Sequence, residues 1–125
     1  MKNADGDYTY YKMFKDTYLY RVYDECIPNE PLKLYCYSYM FSGCTKLTQA
    51  PALTATTLAY YCYVGMFQYC TSLTQAPELP ATTLTLGCYY RMFNGCTALT
   101  TAPTLPATNC QTVVTNLCSK IVLHW

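Results

Sequence analysis

The chain has 125 residues, a formal net charge of +1 and only 12% charged side chains. That length suits one domain with a single continuous core, and the balanced charge supplies no steering toward nucleic acid or an acidic surface. No run of about 18 apolar residues occurs, which excludes a membrane-spanning helix.

Taken in order, residues 1–7 (MKNADGD) are polar. The N-terminus lacks the apolar stretch of a signal peptide, so the sequence favours the cytoplasm, with the cell surface expected instead if an export signal has been removed. Tyr8 to Phe14, YTYYKMF, reads as a worn copy of YCYSYMF at Tyr35 to Phe41, with Thr9 where Cys36 stands. Tyr18 to Tyr23, YLYRVY, is rich in aromatic and β-branched residues and is expected to form a strand. Asp24 to Pro31 holds turn formers and two prolines, the composition of a loop. Residues 1–33 carry most of the charge and are read as an N-terminal cap: a degenerate coil with a polar end face.

Between Leu34 and Ser119 only Lys46, Glu78 and Arg91 are charged, and here the sequence repeats itself. The repeat body, 34–109, holds units 36–61, 62–87 and 88–109, the third shortened where LPATTLTLGC becomes LPATNC. Residues 110–125 keep only the spacing Cys110/Cys118, end in Ile121 to Trp125, and are read as a C-terminal cap. Positions that do not change between units are those that stacking imposes: Cys36/62/88, Met40/66/92, Phe41/67/93, Cys44/70/96, Leu47/73/99 and Leu53/79/105. The pattern CYxxMFxxC has apolar residues at a helical period, and Leu-Thr-x-Ala-Pro predicts a short strand that stops at Pro51, Pro77 and Pro103. Together these predict an α/β-type repeat solenoid, right-handed, with one parallel sheet of short strands about 4.8 Å apart.

The unit CYxxMFxxCTxLTxAPxLPATTL resembles the BspA-type leucine-rich repeats of bacterial surface proteins, over residues 35 to 108. The resemblance implies a leucine-rich-repeat solenoid that binds protein, often in adhesion, with no catalytic residues to carry over.

The nine cysteines fall into the pairs Cys36/Cys44, Cys62/Cys70, Cys88/Cys96 and Cys110/Cys118, with Cys26 left over. Eight residues of helix separate two Cα atoms by about 12 Å, beyond the roughly 7 Å limit of a disulfide. A non-helical path would still allow pairing. Buried free thiols, each stacked on its equivalent one coil away, are the leading reading; disulfides and metal are the alternatives. No metal-ligand spacing of the CxxC type with histidine is present, and no metal or cofactor is expected. His124, the only histidine, sits beside Trp125 and leaves a His-based catalytic site little to work with, so no catalytic residue is named.

Tyrosine carries the functional signal. Tyr37, Tyr63 and Tyr89 recur in every unit, whereas Tyr39, Tyr60, Tyr61, Tyr69 and Tyr90 do not. Positions left free by stacking are expected to be exposed, and exposed tyrosine supplies rigid amphipathic contact area at low entropic cost. These five residues with Arg91 form the predicted binding set. The partner is expected to be another protein; nucleic acid is disfavoured, because Asp7, Asp16, Asp24 and Glu25 offset Lys12, Lys15 and Arg21. The function expected is therefore a non-enzymatic binding module, of adhesion type by resemblance. A small intracellular inhibitor of phage or mobile-element origin is the competing reading. Sequence sets neither the oligomeric state nor the partner.

Overall fold

The computed structural model describes residues 6–27 and 31–106. The proposed C-terminal cap, 110–125, with Cys110, Cys118 and His124, lies outside the described residues.

Each coil of the chain contains a ten-residue ribbon of consecutive tight turns, at 7–16, 34–43, 60–69 and 86–95. Within a ribbon, alternate residues close turns onto the third residue back: Ser38 N–H donates to Tyr35 C=O, Met40 to Tyr37 and Ser42 to Tyr39, each at 3.2 Å. The residues between them donate to the next coil. Tyr37 N–H reaches Cys62 C=O at 2.9 Å, Tyr39 reaches Val64 at 2.8 Å and Phe41 reaches Met66 at 2.9 Å. The same alternation joins the first ribbon to the second, through pairs such as Tyr10 to Cys36, and the third to the fourth, through pairs such as Tyr63 to Cys88. The ribbon N–H groups that bond to backbone do so in one of these two ways, and both satisfy the demand that buried backbone donors be paired; Leu34 N–H instead donates to Asp7 Oδ1 at 3.1 Å.

This pattern needs a left-handed residue every fourth position. In the second ribbon Tyr35, Tyr39 and Gly43 have φ of 54°, 56° and 76°. Each occupies the third position of a turn, where a type II turn requires positive φ. The equivalent sites elsewhere are held by Tyr8, Lys12 and Asp16, by Tyr61, Gly65 and Tyr69, and by Gly87, Arg91 and Gly95.

The expected α/β solenoid with a parallel sheet is not what forms. Positive φ every four residues breaks a helix before it completes two turns, so CYxxMFxxC is turn ribbon. Its apolar positions at 0, +4, +5 and +8 mark the inward side of that ribbon. Among the described residues, helix is limited to a 3-10 turn, Asp24–Cys26. Strand is limited to one isolated parallel bridge between Arg21 and Gln49, so neither Tyr18–Tyr23 nor Leu-Thr-x-Ala-Pro forms a strand. Among the described residues, no backbone N–H in 50–59 or 74–83 donates to the backbone of another coil, and Pro51, Pro77, Pro80 and Pro103 have none to donate.

The core is a set of columns. Phe14, Phe41, Phe67 and Phe93 stack with ring centroids 5.6–5.8 Å apart; Tyr10, Tyr37, Tyr63 and Tyr89 stack at 5.0–5.9 Å. Tyr8, Tyr35 and Tyr61 form a third column at 5.0 Å spacing. Met40, Met66 and Met92, with Leu47, Leu73 and Leu99, are buried beside them. Each aromatic pair adds roughly 0.5–1.5 kcal/mol beyond its buried area, so repetition itself generates the stability.

Candidate functional site

The structure first removes the six buried cysteines of the repeat units from the candidates. Cys36, Cys44, Cys62, Cys70, Cys88 and Cys96 are buried and free, and Cys26 is exposed and free. Three have a defined backbone partner: the thiols of Cys44, Cys70 and Cys96 donate to the carbonyls of Phe14, Phe41 and Phe67, one coil back, at 3.1, 3.1 and 3.0 Å. Thr17 holds the equivalent place in the first coil, its hydroxyl donating to Phe14 C=O at 2.8 Å. Loss of water around the thiols makes the thiolate costly. Burial pushes Cys96 up to about 12, raises Cys62 well above the usual thiol range with Cys36 and Cys88 adding to the effect, and raises Cys70. These are spacers with a hydrogen bond, and nucleophilic chemistry would need the opposite shift. Among the described residues no three His, Cys, Asp or Glu side chains converge on a point that could hold a metal ion.

The predicted tyrosines all lie within the turn ribbons, Tyr39 in 34–43, Tyr60, Tyr61 and Tyr69 in 60–69, and Tyr90 in 86–95. Tyr60 and Tyr69 are exposed, at 59% and 53%. Tyr39, Tyr61 and Tyr90 are only partly so, and Arg91 is exposed. Tyr39 lies edge-on to Tyr11 at 6.2 Å, with the Lys12 ammonium 6.0 Å from its ring. The Arg91 guanidinium sits 5.2 Å over the Tyr90 ring.

Three of the set have a structural reason to vary between coils. Tyr39, Tyr61 and Tyr69 occupy left-handed sites, and the equivalent site in the following coil is Gly65, Gly87 or Gly95. The ring of each tyrosine lies across that glycine: a methyl added to Gly65 would come within 2.5 Å of Tyr39 Cε1, closer than packed atoms allow. Tyrosine over glycine is thus a packed pair, and disagreement between coils at these positions reflects complementarity as well as exposure. Burial also raises Tyr35, in the same column as Tyr61 and Tyr8, above the usual phenol range, with those two rings adding to the effect.

Sequence reading missed Tyr18, Tyr20 and Tyr23, which are 77%, 67% and 61% exposed, the Arg21 guanidinium lying 4.8 Å over the Tyr23 ring. A signal was available for Tyr18. In the alignment that places Phe14 on Phe41, Tyr18 falls on Thr45, and the later equivalents are Thr71 and Thr97, all polar.

On the remaining side of the coils, two neighbouring surface grooves run along the Thr-Gln-Ala-Pro segments. One, of about 720 Å³, lies between Thr74–Pro80 and Thr101–Pro106; the other, of about 760 Å³, is lined by Asp24, Thr48–Thr54 and Thr74–Glu78. Glu78 lines both and no basic residue lines either. Asp24 is engaged in structure, its Oδ1 accepting the Ala52 N–H at 2.8 Å.

Comparison with known proteins finds no matching family model, no similar curated protein and no similar solved structure. No helix among the described residues is long and apolar enough to cross a membrane.

Proposed function

We propose that the chain is a non-enzymatic protein-binding module whose contacts are made by exposed tyrosines. One observation carries the reading. The large apolar side chains left exposed among the described residues are Met13 and five tyrosines: Tyr18, Tyr20, Tyr23, Tyr60 and Tyr69. A tyrosine ring has few rotamers to lose and a hydroxyl to pair, so it gains contact area cheaply on binding. The likeness of the repeat to BspA-type units supports a binding role as well.

The test is capture of a partner by the full chain, compared with capture by a variant carrying Tyr18→Ser, Tyr20→Ser, Tyr23→Ser, Tyr60→Ser and Tyr69→Ser. These side chains project into solvent, so the melting temperature should hold within a few degrees. Loss of capture with unchanged melting supports the proposal. Equal capture by both chains would sink it.

A further inference from the structure

The coil stack is directional. Every backbone–backbone bond between ribbons has its N–H on the earlier coil and its C=O on the later one, as in Tyr10 to Cys36, Tyr37 to Cys62 and Tyr63 to Cys88. A ribbon therefore presents donors toward the C-terminal end of the stack and acceptors toward the N-terminal end. In the second coil, the carbonyls of Cys36, Ser38, Met40 and Ser42 are filled by the first coil. Their counterparts in the first coil, the carbonyls of Thr9, Tyr11, Met13 and Lys15, accept nothing from any described residue.

The side chains at that end are also incomplete. Met40, Met66 and Met92 are no more than 1% exposed, whereas Met13, the first member of the same column, is 52% exposed. Phe14, first in its own column, is only partly buried while Phe41, Phe67 and Phe93 are fully so. The N-terminal end thus shows the apolar face that each later coil buries, together with a row of four acceptors at every second residue. It is the ribbon counterpart of an open sheet edge, which other chains add to.

We infer that this end is a docking surface for a turn ribbon contributed by another protein chain, laid parallel to 7–16 so that alternate N–H groups meet these carbonyls. Polarity selects the occupant. Two copies meeting end to end at their first coils would oppose acceptor to acceptor. A head-to-tail copy would need the outer side of the fourth coil, where Met92, Phe93 and Cys96 are already fully buried. The residues that form this surface are not the exposed tyrosines that carry the proposed function, and either reading can fail without the other.

The probe is a labelled peptide of residues 34–44 bearing Cys36→Ser and Cys44→Ser, titrated into the full-length chain. Binding is followed by fluorescence anisotropy, with amide chemical shifts locating it. Saturable binding with shifts confined to 7–17 is expected. Replacing the amides of Tyr37 and Phe41 in the peptide by esters deletes two donors without adding bulk and should weaken binding roughly twentyfold. Esters at Ser38 and Met40, which close turns within a ribbon, serve as the comparison and should cost less. Met13→Glu in the chain should abolish binding while leaving its melting temperature within a few degrees, and the five-tyrosine variant should bind the peptide normally. No binding, shifts elsewhere, or affinity retained within twofold by the Tyr37/Phe41 ester peptide would overturn the inference. So would a dimer of the chain alone, seen in sedimentation, that Met13→Glu dissolves.

Discussion

The ribbons and the Thr-Gln-Ala-Pro segments belong to the same repeat, yet they hold the coils together in different ways. Ribbon 34–43 is tied to ribbon 60–69 by five backbone bonds, from Tyr35, Tyr37, Tyr39, Phe41 and Gly43, and by stacked Tyr and Phe rings. Segment 74–83 has no such bond to any described residue, and shallow grooves flank it. Repetition of sequence is therefore not repetition of bonding. The ribbon is left-handed at every fourth residue, which turns alternate N–H groups outward to the next coil; the other segment has prolines where donors would be needed.

That contrast is open to test by substitution. Phe67→Ala removes the middle of a fully buried column and should destabilise the chain by about 3–5 kcal/mol, whereas exposed Thr74→Ala should stay within about 0.5 kcal/mol. Urea denaturation measures both, and equal effects would erase the distinction between the two sides.

Alkali should act on the ribbon side. Burial holds the Cys70 and Cys96 thiols above their ordinary value of about 8.5. A raised folded-state pKa means the folded chain keeps a proton that the unfolded chain releases. The stabilisation is complete below about pH 8.5 and is lost as pH rises toward the folded value, close to 12 for Cys96. At pH 10 the loss is about 2 kcal/mol for such a thiol. Denaturation midpoints between pH 7 and pH 10 should fall accordingly, and a flat profile would show these thiols to be accessible. At pH 7.5, peptide mapping after alkylation should find Cys26 modified and Cys70 and Cys96 protected until the chain unfolds.

The tyrosine–glycine pairs sharpen the comparison within the ribbon. Gly65→Ala places a methyl 2.5 Å from the Tyr39 ring at a φ of +57° and should cost about 1–3 kcal/mol. Adding Tyr39→Ala should recover part of that, and strict additivity of the two changes would show that ring and glycine are not coupled. A smaller effect is expected at Arg91, exposed with φ of 53°. Arg91→Gly relieves about 1–2 kcal/mol of left-handed strain against the 0.5–1 kcal/mol entropic cost of glycine. The net gain should be about 1 kcal/mol or less, read as a rise in melting temperature.

Much of the packing was legible from the repeat. Residues unchanged between units, such as Cys36/62/88, Met40/66/92 and Phe41/67/93, are buried in columns, because a position facing its own copy one coil away can tolerate only what fits both. The three described cysteine pairs, Cys36/Cys44, Cys62/Cys70 and Cys88/Cys96, were legible as free thiols for the same reason. Their hydrogen bonds to Phe14, Phe41 and Phe67 carbonyls were not, since those acceptors belong to another coil. Of the tyrosines expected to be exposed, Tyr60 and Tyr69 are, while Tyr39 and Tyr61 lay their rings across glycines of the following coil, a contact that no single unit records.

The sequence by itself determined that this chain is a stack of copies and which side chains fill it, because periodicity records what each coil must offer the next. It could not determine the backbone path. Apolar spacing of 0, +4, +5 and +8 fits a helix as well as a ribbon of turns, and the choice rests on where the alternate N–H groups find acceptors. Those acceptors are the carbonyls of a neighbouring coil, 25 residues away from Tyr37 at Cys62, so only the assembled stack could decide between them.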